Sequence, residues 1–325
     1  MSEYKTIHGI HIQALDTDPS NIGAGQVWYN LTSNQLKWTT VSTSGAWASG
    51  GNLGTSRQGL AGAGTQTAAL GFGGRISGST PDSTATEHYD GSAWTAGGNM
   101  GTSRHKAAGA GTQTAGLAFG GFPMTNATEH YDGSAWTAGG NMGTSRYSLG
   151  GVGTDTAGLG FGGYDDISGN TNATEHYDGS AWTAGGNMGT ARYALGGAGT
   201  QTAALGFTGY EEMNLTNATE HYDGSAWTAG GNMGTSRYFL AGAGTQTAGL
   251  GFGGYTPGVT NATEHYDGSA WTAGGNMGTA RYNPGGTGTL SAGLGFGGTI
   301  ADFTKTNATE EYTGPGITTQ TGTTS

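Results

Sequence analysis

The chain has 325 residues, 69 of them glycine and none cysteine, with 11 basic against 22 acidic side chains and a formal net charge of −11. Without cysteine, disulfides, thiolate metal sites and thiol nucleophiles are excluded. So few cations leave little to neutralise a phosphate backbone, which argues against nucleic acid as a partner, and no apolar run approaches the roughly 20 residues of a membrane helix.

In chain order, Met1 to Gln13 lacks the basic-then-apolar pattern of a signal peptide, and a soluble product made in the cytosol, without membrane insertion, is expected. Gly9 to Leu15 reads as one strand. Asp16-Thr17-Asp18-Pro19-Ser20-Asn21 follows as a turn cluster whose carboxylates lack the spacing of a calcium loop. Gln26-Val27-Trp28-Tyr29-Asn30 and Gln35-Leu36-Lys37-Trp38 are β-rich runs around Leu31 to Asn34, a spacing suited to a hairpin. This run of Gly-Gln-Val-Trp-Tyr-Asn, a short polar loop and Leu-Lys resembles a hairpin of bacteriophage tail-fibre and other virion appendage proteins. The resemblance implies that residues 1–44 attach the chain to other virion proteins or mediate self-assembly into a homo-oligomer. The residues alone equally allow an amphipathic hairpin that caps the main domain.

From residue 45 the chain repeats. Glu87-His88-Tyr89-Asp90-Gly91-Ser92-Ala93-Trp94 returns almost unchanged at Glu129, Glu175, Glu220 and Glu264. Trp47, Trp94, Trp136, Trp182, Trp227 and Trp271 fall 42 to 47 residues apart, a period that belongs to repeat architectures. Each repeat opens on an arginine and a small-residue strand, such as Arg146 to Val152, and a Gly-Thr-x-Thr turn leads to a buried strand, such as Ala157 to Phe161. A glycine pair ends that strand, and a loop of variable length leads to the Glu-His-Tyr strand. An Asp-Gly turn, a strong hairpin signal, then leads to the Trp strand. Glycine at fixed places reads as turn chemistry rather than disorder. Four short antiparallel strands per repeat make a propeller blade.

A glycine pair, then tyrosine and tryptophan, then an arginine opening the next repeat resembles the kelch motif. The pairs are Gly73-Gly74, Gly120-Gly121, Gly162-Gly163, Gly253-Gly254 and Gly297-Gly298, with Thr208-Gly209 departing in one repeat. The tyrosines are Tyr89, Tyr131, Tyr177, Tyr222, Tyr266 and Tyr312. Arg57, Arg104, Arg146, Arg192, Arg237 and Arg281 open six repeats, yet Glu310-Glu311-Tyr312 has no tryptophan after it, while Trp47 precedes the first arginine. The strand of Trp47 is therefore expected to pair with that of Tyr312, joining both ends in one sheet and removing the edges of an open array. The expected fold is all-β: a six-bladed kelch-type β-propeller over residues 45–314, closed by an N-terminal strand, with a short β extension over 1–44 and a polar tail over 315–325. The six arginines and the six tryptophans are its structural ring, with Met100, Met142, Met188, Met233, Met277 and Leu53 as further anchors.

His88, His130, His176, His221 and His265 occupy one position per repeat, so they are dispersed and do not converge to the roughly 2 Å one metal ion requires. They read as solvent-facing strand residues. The same dispersal demotes Glu87 and its equivalents as catalytic acids and favours their pairing with the arginines. Asn126-Ala127-Thr128 and its equivalents at Asn172, Asn217, Asn261 and Asn307 match the glycosylation acceptor pattern but read as turns entering the third strand. A copper oxidase of the galactose oxidase type shares the kelch fold, but its cofactor needs a cysteine cross-linked to tyrosine. No metal, cofactor or catalytic residue is assigned, and the chain is expected not to be an enzyme.

The repeats differ in the loops after the glycine pairs: Arg75 to Ala85, Phe122 to Ala127, Tyr164 to Ala173, Tyr210 to Ala218, Tyr255 to Ala262 and Thr299 to Ala308. They also differ just after each arginine, at Gln58, His105, Tyr147, Tyr193, Tyr238 and Tyr282. Both regions belong to one end of an up-and-down blade, and variable loops on a rigid scaffold are where binding usually sits. Four tyrosines are expected to rim the channel, with Tyr164, Tyr210 and Tyr255 extending the surface outward. An apolar ring with a hydroxyl tip suits the alternating CH and OH faces of a sugar; filling of the channel mouth is the alternative. The resemblances together imply a non-enzymatic bacteriophage virion component, a tail fibre or capsid appendage, that presents the propeller to a host-surface receptor or glycan. A bacterial or environmental kelch module that binds protein, and a kelch-fold carbohydrate enzyme, remain alternatives.

Overall fold

The computed structural model describes residues 3–7, 10–42, 44–77 and 82–322. Among them every regular element is a β-strand. The chain divides into two compact units, residues 1–45 together with 314–325, and residues 46–313.

The larger unit contains six four-stranded antiparallel sheets, whose first strands are Ala61–Thr65, Ala108–Gly111, Gly150–Gly153, Gly196–Gly199, Ala241–Thr245 and Gly285–Gly288. We number the sheets 1 to 6 in that order. In sheet 2 the strands Ala108–Gly111, Gly116–Phe119, Thr128–Tyr131 and Trp136–Ala138 pair in sequence order, with Tyr131 opposite Trp136. The turn before the last strand is fixed by Asp132, whose carboxylate accepts the N–H groups of Ser134 and Ala135 at 2.8 Å. The glycine pairs are required by conformation: Gly162 and Gly163 have φ of 62° and 102°, in the left-handed region. Thr208 adopts φ of 58° where the repeat has lost its first glycine. Sheet 6 combines both ends of this unit, because Ala46–Ser49 pairs with Thr309–Thr313 and sets Trp47 opposite Tyr312, the pairing expected from the spare tryptophan.

Second strands are buried along their whole length, as in Gly116–Phe119, or at all but their first residue, as in Ala68–Phe72, because both faces are covered by neighbouring sheets. Each tryptophan lies on the phenylalanine of the preceding sheet, with ring centroids 4.7–4.9 Å apart. Its indole N–H is donated to a threonine of that same sheet, as from Trp182 to Thr128 at 2.9 Å. Trp271 is buried and the other five are half-buried, so about 200 Å² of indole at ~25 cal/mol per Å², on the order of 5 kcal/mol gross, is the ceiling for each. The series returns to its start, since Trp94 of sheet 1 packs on Phe296 and bonds Thr309 of sheet 6. The larger unit is thus propeller-like, a repetition of small sheets packed face to face.

The repeated histidines correct one expectation: they are not solvent-facing. His88, His130, His176 and His221 are half-buried and His265 is buried. Each Nε2 meets the tyrosine hydroxyl of the following sheet, Tyr131, Tyr177, Tyr222, Tyr266 and Tyr312 in turn. Glu311 takes the sixth place and accepts from Tyr89 at 2.5 Å. Burial lowers the pKa of His88, His176, His221 and His265. In the unfolded chain these imidazoles take up protons below about pH 6.5, while the folded chain takes them up only at lower pH. The unfolded state therefore binds more protons in that window, and stability falls as pH drops through it. Asp90, Asp132, Asp178, Asp223 and Asp267 are held below the usual carboxylate range, chiefly by the turn N–H groups, so their contribution is lost only below about pH 4. Melting temperature is expected to decline already between pH 7 and 5; a flat profile over that range contradicts the histidine account.

The smaller unit is one five-stranded sheet in the spatial order Glu3–Ile7, Ile10–Leu15, Val27–Asn30, Gln35–Ser42, Gly316–Thr321. The expected hairpin is present, with Val27 opposite Trp38 and Asn30 opposite Gln35. Gly9, placed at the start of a strand by sequence, lies outside the described residues. Asp18 in the turn cluster accepts from Trp28, Asn30 and Lys37, and these bonds, Lys37 foremost, pull its carboxyl down to about 2. The polar tail read at 315–325 is corrected in part: Gly316–Thr321 is a strand, antiparallel to Gln35–Ser42 with Ile317 opposite Val41.

Candidate ligand-binding face

The six first strands surround an axial cavity lined by glycine and alanine, for example Gly62, Gly109, Gly151, Gly197, Gly242 and Gly286. At one end the chain passes from each repeat arginine into the first strand. The arginines are buried there, each with Nη2 2.5–2.9 Å from the glutamate of its own sheet. Nη1 binds two backbone carbonyls, as Arg146 does with Gly162 and Ala173, both at 2.8 Å. This network fixes the backbone at the start of every repeat, and so fixes the residues that follow.

The next residue in each repeat is Gln58, His105, Tyr147, Tyr193, Tyr238 or Tyr282. Each forms a backbone bridge to the residue after the glycine pair: Arg75, Phe122, Tyr164, Tyr210, Tyr255 and Thr299. The bridges bring the sequence-predicted tyrosines into one continuous arc. Ring centroids run from His105 to Phe122, Tyr147, Tyr164, Tyr193, Tyr210, Tyr238, Tyr255 and Tyr282 in steps of 5.3–5.8 Å. The seven tyrosines are half-buried and Phe122 is exposed, so rings are offered to solvent without being loose. Burial raises the pKa of Tyr147, Tyr193 and Tyr238, which keeps their hydroxyls protonated as donors. The arc is interrupted at sheets 6 and 1. There the Thr299 hydroxyl bonds Gln58, and His105 Nδ1 lies 2.8 Å from Asp82 Oδ1. Residues 78–81 of the variable loop Arg75 to Ala85 lie outside the described residues.

One expectation fails here. The tyrosines do not rim the channel; the mouth is made by the residue after each, Gly59, Lys106, Ser148, Ala194, Phe239 and Asn283. All six have φ of 52–60°, which turns their backbone groups along the rim. Lys106 N–H donates to Gly59 O at 2.6 Å, Ser148 to Lys106 at 2.9 Å and Ala194 to Ser148 at 2.7 Å. Phe239 donates to Ala194 at 2.9 Å, Asn283 to Phe239 at 2.8 Å, and Gly59 closes the cycle on Asn283 at 2.8 Å. Left-handed backbone at five non-glycine residues costs roughly 1–2 kcal/mol each, offset by six backbone bonds of about 1 kcal/mol net apiece. Sequence reasoning missed this position. Its signal was present in the change from Gly to Lys, Ser, Ala, Phe and Asn inside otherwise uniform surroundings.

The face can therefore stack flat or CH-rich groups on rings and offer hydroxyl donors at their edges. Among the described residues no group of three or more His, Asp or Glu stands close enough to hold a metal ion. No protein-family model matches the chain and no curated protein matches it, so this face is interpreted from its own geometry.

Proposed function

We propose that the larger unit is a six-bladed kelch-type β-propeller, closed by the strand Ala46–Ser49, and that its tyrosine face binds a glycan on a host surface. In this reading the chain is a non-enzymatic bacteriophage virion component, a tail fibre or capsid appendage, anchored to other virion proteins by the sheet that contains the Val27–Asn30 hairpin. The observation that carries the reading is the arc of nine rings from His105 to Tyr282. The structural tryptophans pack between sheets, each on a phenylalanine of the preceding one; the rings of the arc instead follow one another along a half-buried surface, with hydroxyls suited to bonding a polyol. That the hairpin sheet belongs to a compact unit of its own supports a division between attachment and binding.

Tyr147 and Tyr193 both touch Tyr164 at the centre of the arc. The double variant Tyr147→Ala with Tyr193→Ala is expected to bind host cells or glycan arrays at least about tenfold more weakly, as loss of central aromatic anchors does in other interfaces. Its melting temperature should stay close to the parent's, since the backbone bridges at both positions do not need the rings. A folded double variant that binds as well as the parent overturns the glycan reading, and absence of the protein from purified particles overturns the virion reading.

A further inference from the structure

The channel mouth carries a charge with no carboxylate paired to it among the described residues. Of the cations in the larger unit, the six repeat arginines are committed to glutamates. Lys106 is different. Its Nζ lies 4.5 Å from the ring centroid of Phe239 and 5.6 Å from that of Tyr147, held over the mouth with no hydrogen-bond acceptor among the described residues. An aromatic face attracts an ammonium but does not replace the oxygen ligands it has in water. Burial, with nearby Arg75 as a second cause, lowers its pKa, so the site disfavours a cation that has no anion beside it.

A second group in the same depression is also unpartnered. Ser148 is 8% exposed, and its hydroxyl is buried without a hydrogen-bond partner among the described residues. Lys106, Ser148, Phe239 and Asn283 line one small funnel of about 100 Å³, open to solvent, which has room for a single small group rather than a whole sugar. The backbone N–H groups of the rim are consumed by its own cycle of bonds, so recognition there falls to side chains. A buried hydroxyl and a poorly hydrated ammonium in one funnel together fit the oxygens of a carboxylate.

The geometry points to an acidic glycan as the ligand: its carboxylate enters the channel mouth between Lys106 Nζ and Ser148 Oγ while its sugar rings lie outward on the tyrosine arc. This rests on the glycan reading above and narrows it to sugars that carry a carboxylate. Arg75 and Lys305 reinforce the choice, because their backbones bridge to Gln58 and Thr299 in the sector that interrupts the arc.

The test compares a β-1,4-linked glucuronic acid tetrasaccharide with the matching glucose tetrasaccharide by titration calorimetry on the full chain. The parent is expected to prefer the acidic sugar by on the order of tenfold or more, the yield of a charge-assisted hydrogen bond. Lys106→Met, which keeps the aliphatic stem over Phe239, should abolish that preference and leave binding of the neutral sugar unchanged. Ser148→Ala should reduce the preference in part. Equal affinity of the parent for both sugars, or a preference that survives Lys106→Met, overturns the carboxylate subsite while leaving the glycan reading intact. Binding of neither sugar overturns both, and tighter binding of an acidic peptide without sugar binding assigns the face to a protein partner.

Discussion

Replacing Arg146 by methionine is expected to lower the unfolding free energy by about 3–5 kcal/mol, the usual cost of removing one partner of a buried ion pair. The guanidinium is fully buried and its Nη2 lies 2.7 Å from Glu175 Oε1. Without it the Glu175 carboxylate keeps only the Gly143 N–H at 2.6 Å and a long bond to Thr144, and the carbonyls of Gly162 and Ala173 lose their shared donor. Lysine is a poor substitute, because one ammonium cannot reproduce a planar fork aimed at a carboxylate and two carbonyls at once. Adding Glu175→Gln to Arg146→Met removes the stranded charge and keeps an acceptor for Gly143, so the double variant should be more stable than the single one. Urea denaturation of the three proteins measures this. A loss below about 1 kcal/mol for Arg146→Met, a value typical of exposed pairs, contradicts the account of the arginines as the buried fasteners of each sheet.

The sheets were legible because one period repeats several independent signals. Asp-Gly places the third turn, the glycine pair places the end of the second strand, and the unmatched Trp47 implies its distant partner. Contacts between sheets were harder to read. The one-per-repeat spacing of His88 and its equivalents correctly argues against convergence on one point, but it is silent about a neighbouring sheet, where Tyr131 supplies the hydrogen bond. The mouth was misplaced by one residue because left-handed backbone is usually advertised by glycine. Here only Gly59 announces it, while Lys106, Ser148, Ala194, Phe239 and Asn283 adopt the same conformation as ordinary residues. Gly316–Thr321 lacks an apolar alternation, and its partner Gln35–Ser42 is almost the whole chain away, so it carries no local strand signal. Phe122 was placed in a variable loop, but its part in the arc depends on the bridge to His105.

Deletion of residues 45–50 is expected to be more damaging than any surface-loop change, because that segment completes sheet 6 from the far end of the sequence. It supplies the partner strand of Thr309–Thr313, and just after Ser49 the Gly50 N–H bonds Thr309 O at 2.9 Å. It also supplies Trp47, which lies 4.9 Å from Phe252 and 5.0 Å from Tyr312 by ring centroid and bonds Thr263 at 2.9 Å. Loss of the tryptophan alone is worth about 3–5 kcal/mol, and the exposed edge of Thr309–Thr313 adds a site for association with other chains. The shortened protein should melt many degrees below the parent and aggregate; one that melts within a few degrees of it contradicts closure. The register itself can be read directly, since the chain has no cysteine of its own. Ala46 and Thr313 are opposite one another in the pairing and both exposed, and paired residues in an antiparallel ladder sit about 4.5–5.5 Å apart by Cα, within disulfide reach. Ala46→Cys with Thr313→Cys, oxidised at low concentration and examined by mass spectrometry after proteolysis, should form the intramolecular disulfide almost completely in the folded monomer. Thiols that remain free, or that link only between molecules, would contradict a propeller closed by its N-terminal strand.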